Sequence, residues 1–175
     1  KNSQRLTDAG TADFDPRVSG DGRYIVYTSL RNGFNQIWRM DIDGSNQILL
    51  ADVDGWGQVP RFAADGQTVV FDWMSDRDRV LAHVPVTGGR VEVMPQSEQT
   101  PAYNALYWTM SPDGKHYAYT YTDQAEGRTK VAIKAVGSSE PTTILNIWPS
   151  VIFKWMPDGE SIFYRERQLG YQPES

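Results

Sequence analysis

The sequence has no cysteine, which excludes disulfides and cysteine-based metal or redox chemistry. That lack fits a periplasmic or other extracytoplasmic bacterial domain and does not exclude the cytoplasm. Histidine is scarce, with only His83 and His116. A histidine triad needs a serine or cysteine nucleophile within hydrogen-bond reach. No G-x-S-x-G elbow is present, so we expect no catalytic residue in this chain. No apolar run approaches the length of a membrane span, so no membrane insertion of this segment is expected. No amphipathic helical stretch occurs either. Positive charge is not in excess: the net charge is −5, with acids and bases interspersed. Phosphate binding wants a basic face, so nucleic acid is not expected as a partner. The chain starts without an initiator methionine or a signal peptide, from which we expect a piece of a longer protein.

What the sequence does have is one turn, repeated. Ser19-Gly20-Asp21-Gly22 has relatives at Ala63-Ala64-Asp65-Gly66, Ser111-Pro112-Asp113-Gly114 and Met156-Pro157-Asp158-Gly159, at steps of 44, 48 and 45 residues between the aspartates. Proline presets φ, aspartate bonds its own backbone, and glycine supplies φ > 0. Each turn is followed by an aromatic and β-branched run such as "RYIVYTS" or "QTVVFDW", strand-like and too short for a helix. The second half of the unit repeats as well. Ile37 falls on Leu81, Met40 on Val84, Ile42 on Val86 and Gly44 on Gly88. Four short strands, A to D, in a repeat of about 45 residues read as a β-propeller blade. The fold expected is all-β, a partial β-propeller with blades at 13–52, 58–95 and 106–146, and an incomplete one at 151–175. Residues 3–8 read as the outer strand of a neighbouring or closing blade.

Blade one, from "LTDAG" to "DIDGSNQILL", resembles the TolB-like propeller repeat, with an L-T pair, a P-x-h-S-P-D-G turn and an I-W-x-M-D-x-D-G stretch. The matching residues are Leu6, Thr7, Pro16, Ser19, Asp21, Gly22, Ser29, Arg31, Ile37, Trp38, Met40, Asp41, Asp43 and Gly44. Blade two departs at Ala63, Ala82 and Pro85, and blade three has a degenerate C strand. The resemblance implies the fold, because this motif is a folding motif. Full rings of the repeat carry six or seven blades. It also implies a binding or sensor role without catalysis, in which the propeller docks a protein or peptide partner. Such propellers occur as periplasmic partners and as sensor parts of bacterial receptor-type Ser/Thr kinases or regulators. The rival is a propeller of the prolyl oligopeptidase type, which filters substrates for a separate hydrolase domain.

No cofactor or metal site is expected. Asp41-Ile42-Asp43-Gly44 and Asp52-Val53-Asp54-Gly55 lack the ligand spacing of a calcium loop. The turns also differ from sialidase Asp boxes, and the many acids sit mostly in turns. Arg17, Arg61 and Lys154 share one slot of strand A, with Thr109 as the exception. Strand A lines a propeller's channel, so these are candidates for an anion site there. The competing reading is salt bridges to Asp13, Asp15 or Asp72. In a propeller the A–B and C–D turns share one end, and the B–C and D–A loops share the other. The latter loops are longer here and hold Trp56, Tyr103, Tyr107 and Trp148, with Arg31, Arg77, Arg79 and Arg128 beside them. Variable loops on a rigid scaffold carry binding, and aromatics and arginines anchor interfaces. We therefore expect Trp56, Arg77, Tyr103, Tyr107, Arg128 and Trp148 on the binding end. The alternative for Trp56 and Trp148 is to plug blade joints. Incomplete blades expose apolar faces and strand edges, so we expect self-association, or residues 1–7 adding to blade four.

Overall fold

The structure, a computed structural model, describes residues 3–8, 10–76, 78–95, 107–145 and 149–166, with backbone alone at 149–152 and 165–166. Two compact units divide the chain, Lys1–Ala102 and Tyr103–Ser175. All regular elements among the described residues are strands. In the first unit, β1 (Asp13–Val18), β2 (Tyr24–Ser29), β3 (Gln36–Asp41) and β4 (Ile48–Ala51) form one antiparallel sheet in chain order. β5 (Trp56–Phe62), β6 (Thr68–Met74), β7 (Arg79–Pro85) and β8 (Glu92–Val93) form a second. In the other unit, β9 (Trp108–Met110), β10 (His116–Asp123), β11 (Arg128–Ala135) and β12 (Thr143–Leu145) make a third sheet. β13 (Pro149–Trp155) and β14 (Ile162–Glu166) pair alone.

The repeated turn sequence becomes repeated hydrogen bonding. Gly22 N donates to Ser19 O, Gly66 N to Ala63 O, Gly114 N to Ser111 O and Gly159 N to Met156 O, at 2.9–3.0 Å. All four glycines have φ between 64° and 73°, a region open to glycine at no steric cost. Ser19 Oγ donates to Asp21 Oδ1 at 2.6 Å and accepts from Tyr24 N at 2.9 Å. Ser111 repeats this with Asp113 and His116 at 2.6 and 3.0 Å. Ala63 has no hydroxyl, and there Asp65 instead accepts from the Gln67 and Thr68 amides and the Thr68 hydroxyl at 2.8–2.9 Å. A second tie joins the A–B and C–D turns of each complete sheet: Ile42 N to Arg23 O, Val86 N to Gln67 O, and Val136 N to Lys115 O, at 2.7–2.9 Å.

These turns predict an acid limit. Asp21 is held down to about 2 by the Ser19 hydroxyl, the Arg23 amide and the Arg23 guanidinium. Asp113 is lowered by Ser111 and the Lys115 amide, and Asp158 by the Glu160 and Ser161 amides. At Asp65 burial pushes upward, and the Thr68 hydroxyl with the Gln67 and Thr68 amides outweighs it. A folded value below the unfolded 3.8 means stability that is complete above the unfolded value and lost as pH falls toward the folded one. Melting temperature followed by circular dichroism should therefore hold down to about pH 5 and fall between about pH 4 and 2. A flat profile to about pH 2.5 would show that the turns contribute nothing to stability.

Alternation along the strands sorts side chains to two faces. In the first unit Val26, Ile37, Leu50 and Ala51 of one sheet share a buried cluster with Val69, Phe71, Ala82 and Val84 of the next. On the opposite face of the first sheet Ile25, Tyr27 and Met40 are buried with Leu6 and Trp38 packed on them. Residues 3–8, expected as the outer strand of a neighbouring or closing blade, pair with no strand among the described residues. Leu6 is held instead against the C–D turn of the first sheet, where its carbonyl accepts from Gln47 Nε2 at 3.1 Å. Its apolar side chain finds a ready-made face there, and one side-chain bond replaces a ladder. In the second unit Ala118, Val131 and Phe153 form the core, with Ile133, Leu145, Trp155 and Ile162 around them. The degenerate C strand of blade three still forms, pairing in eight successive positions with β10, because "KVAIKA" keeps its alternation. On β14, Phe163 and Tyr164 stay exposed.

Candidate functional site

The loop end of the first unit is built by ties between two loops. The B–C loop of the first sheet turns at residues 30–33, with Gly33 N donating to Leu30 O at 3.0 Å. Leu30 N donates to Ala12 O at 3.0 Å, which anchors the turn to the segment before β1. The D–A loop, Asp52-Val53-Asp54-Gly55, then runs into β5. Asn32 Nδ2 donates to Gln36 Oε1 at 2.9 Å, and Gln36 Nε2 donates to Asp52 Oδ1 at 2.7 Å. Gly57 N donates to Asn35 O at 2.7 Å, and Trp73 Nε1 to Asp54 O at 2.8 Å. Two loops from successive sheets are thereby locked together. On this frame Leu30, Phe34 and Trp56 are 43%, 55% and 50% exposed.

Trp56 therefore stands out in solvent and does not plug a joint. Phe34 and Leu30 were missed by the sequence reading, which valued "LRNGFN" for its arginine. Their signal is an apolar side chain on each side of a glycine turn, where no strand alternation calls for burial. Arg31 itself turns inward. Its guanidinium lies 4.1 Å from the Trp38 ring centroid and 5.7 Å from that of Tyr27. It donates to Ser29 Oγ, Gln47 Oε1 and Tyr27 Oη at 3.0 Å each, and lies 3.7 Å from Asp13. This is a scaffold hub.

The remaining candidates fall in several places. Tyr107 packs edge-on to Phe153, centroids 5.0 Å apart, and serves the core of the second unit. Arg128 is exposed at the start of β11, in register with Asp123. Beside it Lys130 bridges Asp123 and Glu126 at 2.8 and 2.7 Å, and both carboxylates hold its pKa up. Arg77, Tyr103 and Trp148 lie outside the described residues.

The strand A cations share a local geometry. Asp15 and Val59 have φ of 53° and 55°, and the register slips at both places. A β-branched residue in that region is strained. Each bulge is followed by proline and arginine, and Arg17 Nη1 donates to Pro16 O at 2.6 Å, Arg61 Nη1 to Pro60 O at 2.9 Å. Asp13 lies 3.7 Å from Arg31, and Asp72 accepts from Arg79 at 2.7 Å. Lys154 is exposed on β13 of the second unit.

No family model matches this chain. The architecture is nonetheless that of part of a TolB-like β-propeller. TolB from Acinetobacter baumannii superposes with a TM-score of 0.60 at 19% identity, over 79% of this chain and 33% of that one. A protein of Agrobacterium tumefaciens assigned as TolB gives 0.63 at 21% identity, over 87% and 57%. The acylaminoacyl peptidase of Pyrococcus horikoshii gives 0.55 at 12% identity, over 77% and 24%. In sequence, the uncharacterized protein Atu1656 of Agrobacterium fabrum is 32% identical over 124 residues, which are 66% of this chain. The chain spans 42% of that relative's length.

Proposed function

We propose that this propeller segment is a non-catalytic binding module that presents its loop end to a protein or peptide partner. The observation that supports it is the trio Leu30, Phe34 and Trp56, exposed on a frame of hydrogen bonds that leaves them little freedom to retreat. Large apolar side chains grouped at one end of a rigid scaffold serve association better than solubility. An extracytoplasmic setting, as a periplasmic partner or the sensor part of a receptor-type kinase or regulator, is the context we propose.

Photo-crosslinking in the native host tests this. A crosslinkable residue at position 34 or 56 should capture a discrete protein adduct, and one at position 43, on the turn end, should not. Equal capture at all three positions, or none, would remove the loop end as the binding surface. The second reading, a gating propeller, is favoured by the structural likeness to acylaminoacyl peptidase. In that case the adduct would be a hydrolase domain of the same polypeptide, which mass spectrometry distinguishes from a separate partner.

A further inference from the structure

We infer that the Leu30–Phe34–Trp56 patch docks a peptide segment carrying a large apolar side chain flanked by lysine or arginine. This rests on the binding-module reading and specifies the partner's chemistry. The three residues stand on two loops that are bonded to each other. Leu30 and Phe34 bracket a single turn, and the Asn35–Gly57 backbone bond sets Trp56 beside Phe34's neighbour. The frame is already ordered, so docking costs little loop entropy.

Charge around the patch selects the partner. The two described cations of these loops are engaged within their own sheets. Arg31 is stacked on Trp38 and bonded to Ser29, Gln47 and Tyr27, and Arg79 donates to Asp72 at 2.7 Å. Among the described residues of these loops the exposed charges are acidic. Asp52 and Asp54 lie in the D–A loop beside Trp56, and Asp76 in the next B–C loop. That loop reaches the patch because Trp56 pairs across the ladder with Met74. Asp52 accepts from Gln36, a neutral donor, so its charge is not cancelled. Among the described residues none of these three carboxylates has an ion-pair partner. An apolar centre with an anionic rim repels phosphates and anionic lipid surfaces and attracts a cationic, apolar peptide. The aromatic pair supplies the area, and the rim supplies steering and selectivity.

The test is selection of random dodecapeptides, displayed on phage, against the whole chain. Recovered sequences are then synthesised and titrated by fluorescence anisotropy. They should carry an aromatic or large aliphatic residue next to Lys or Arg. Against F34S/W56S their affinity should fall at least about 20-fold. Against D54N/D76N it should fall about 3- to 10-fold at low salt, a difference that fades near about 0.5 M salt. L30S provides an independent third variant, expected to weaken binding by a smaller factor. These side chains are about half exposed or freer, so melting temperatures should fall by no more than a few degrees. Peptides without cationic enrichment, or with unchanged affinity for F34S/W56S, would overturn the inference. In that outcome binding stands on another surface and the module reading survives. A selection that recovers nothing overturns both.

Discussion

Phe71→Ala is expected to lower the unfolding free energy by about 3–5 kcal/mol. Phe71 is 0% exposed and sits where the two sheets of the first unit meet. Its strand β6 lies between β5 and β7, paired on both sides. A strand held by ladders on both sides moves little, so the cavity stays open and its cost is paid nearly in full. Gly57 gives a measure of the fit: a β-carbon there would lie 3.5 Å from Phe71 Cε2 and 3.3 Å from Ile37 Cγ1. A domain of this kind has only about 5–15 kcal/mol in total. In urea the midpoint should drop by about 2 M at a slope near 2 kcal/mol/M. Trp56→Ala is the contrast. It removes a larger side chain from the same sheet, yet one half exposed, and should cost under about 1 kcal/mol. A loss below about 1.5 kcal/mol for Phe71→Ala would show that the sheets do not share a core.

That contrast also marks what the sequence made legible. The A–B turns could be read because their chemistry is local: an aspartate and the glycine after it close each turn with bonds to residues two to three positions away. Strand order follows, since short turns force neighbours to pair. The buried set of β2 and β6 follows from alternation. The fate of Arg31 could not be read, because Tyr27 reaches it from β2 and Gln47 from the C–D turn. Nor could the bulges at Asp15 and Val59, where at Val59 tertiary pairing overrides a β-branched residue's own preference. Phe34 and Leu30 were hidden for a different reason. Exposure of an apolar residue is invisible until the loop's hydrogen bonds are known. The Asn32–Gln36–Asp52 relay links residues 20 positions apart, and nothing in the sequence announces it.

Gly55→Ala should have the second large effect, about 3 kcal/mol of destabilisation, and it should also disturb binding. Gly55 has φ of +105°, and a β-carbon there would fall on the Met74 carbonyl. The neighbour is backbone within a paired strand and cannot swing aside. Either β6 shifts at Met74, or the D–A loop leaves its bonds to Gln36 and Trp73. Both routes move Trp56, the next residue, from its place on the docking end. Gly20→Ala is the control of opposite sign. Its added carbon meets nothing within 4 Å and its φ lies outside the glycine-favouring region, so restricting the unfolded chain should stabilise by about 0.5 kcal/mol. Thermal unfolding of the two variants, with affinity for a selected peptide measured on each, separates the possibilities. If Gly55→Ala unfolds early yet binds as tightly as the parent at low temperature, Trp56 is not held by this loop, and the rigid-frame account of the patch fails. If stability and affinity fall together while Gly20→Ala keeps both, a single glycine joins the packing of the sheets to the geometry of the docking end.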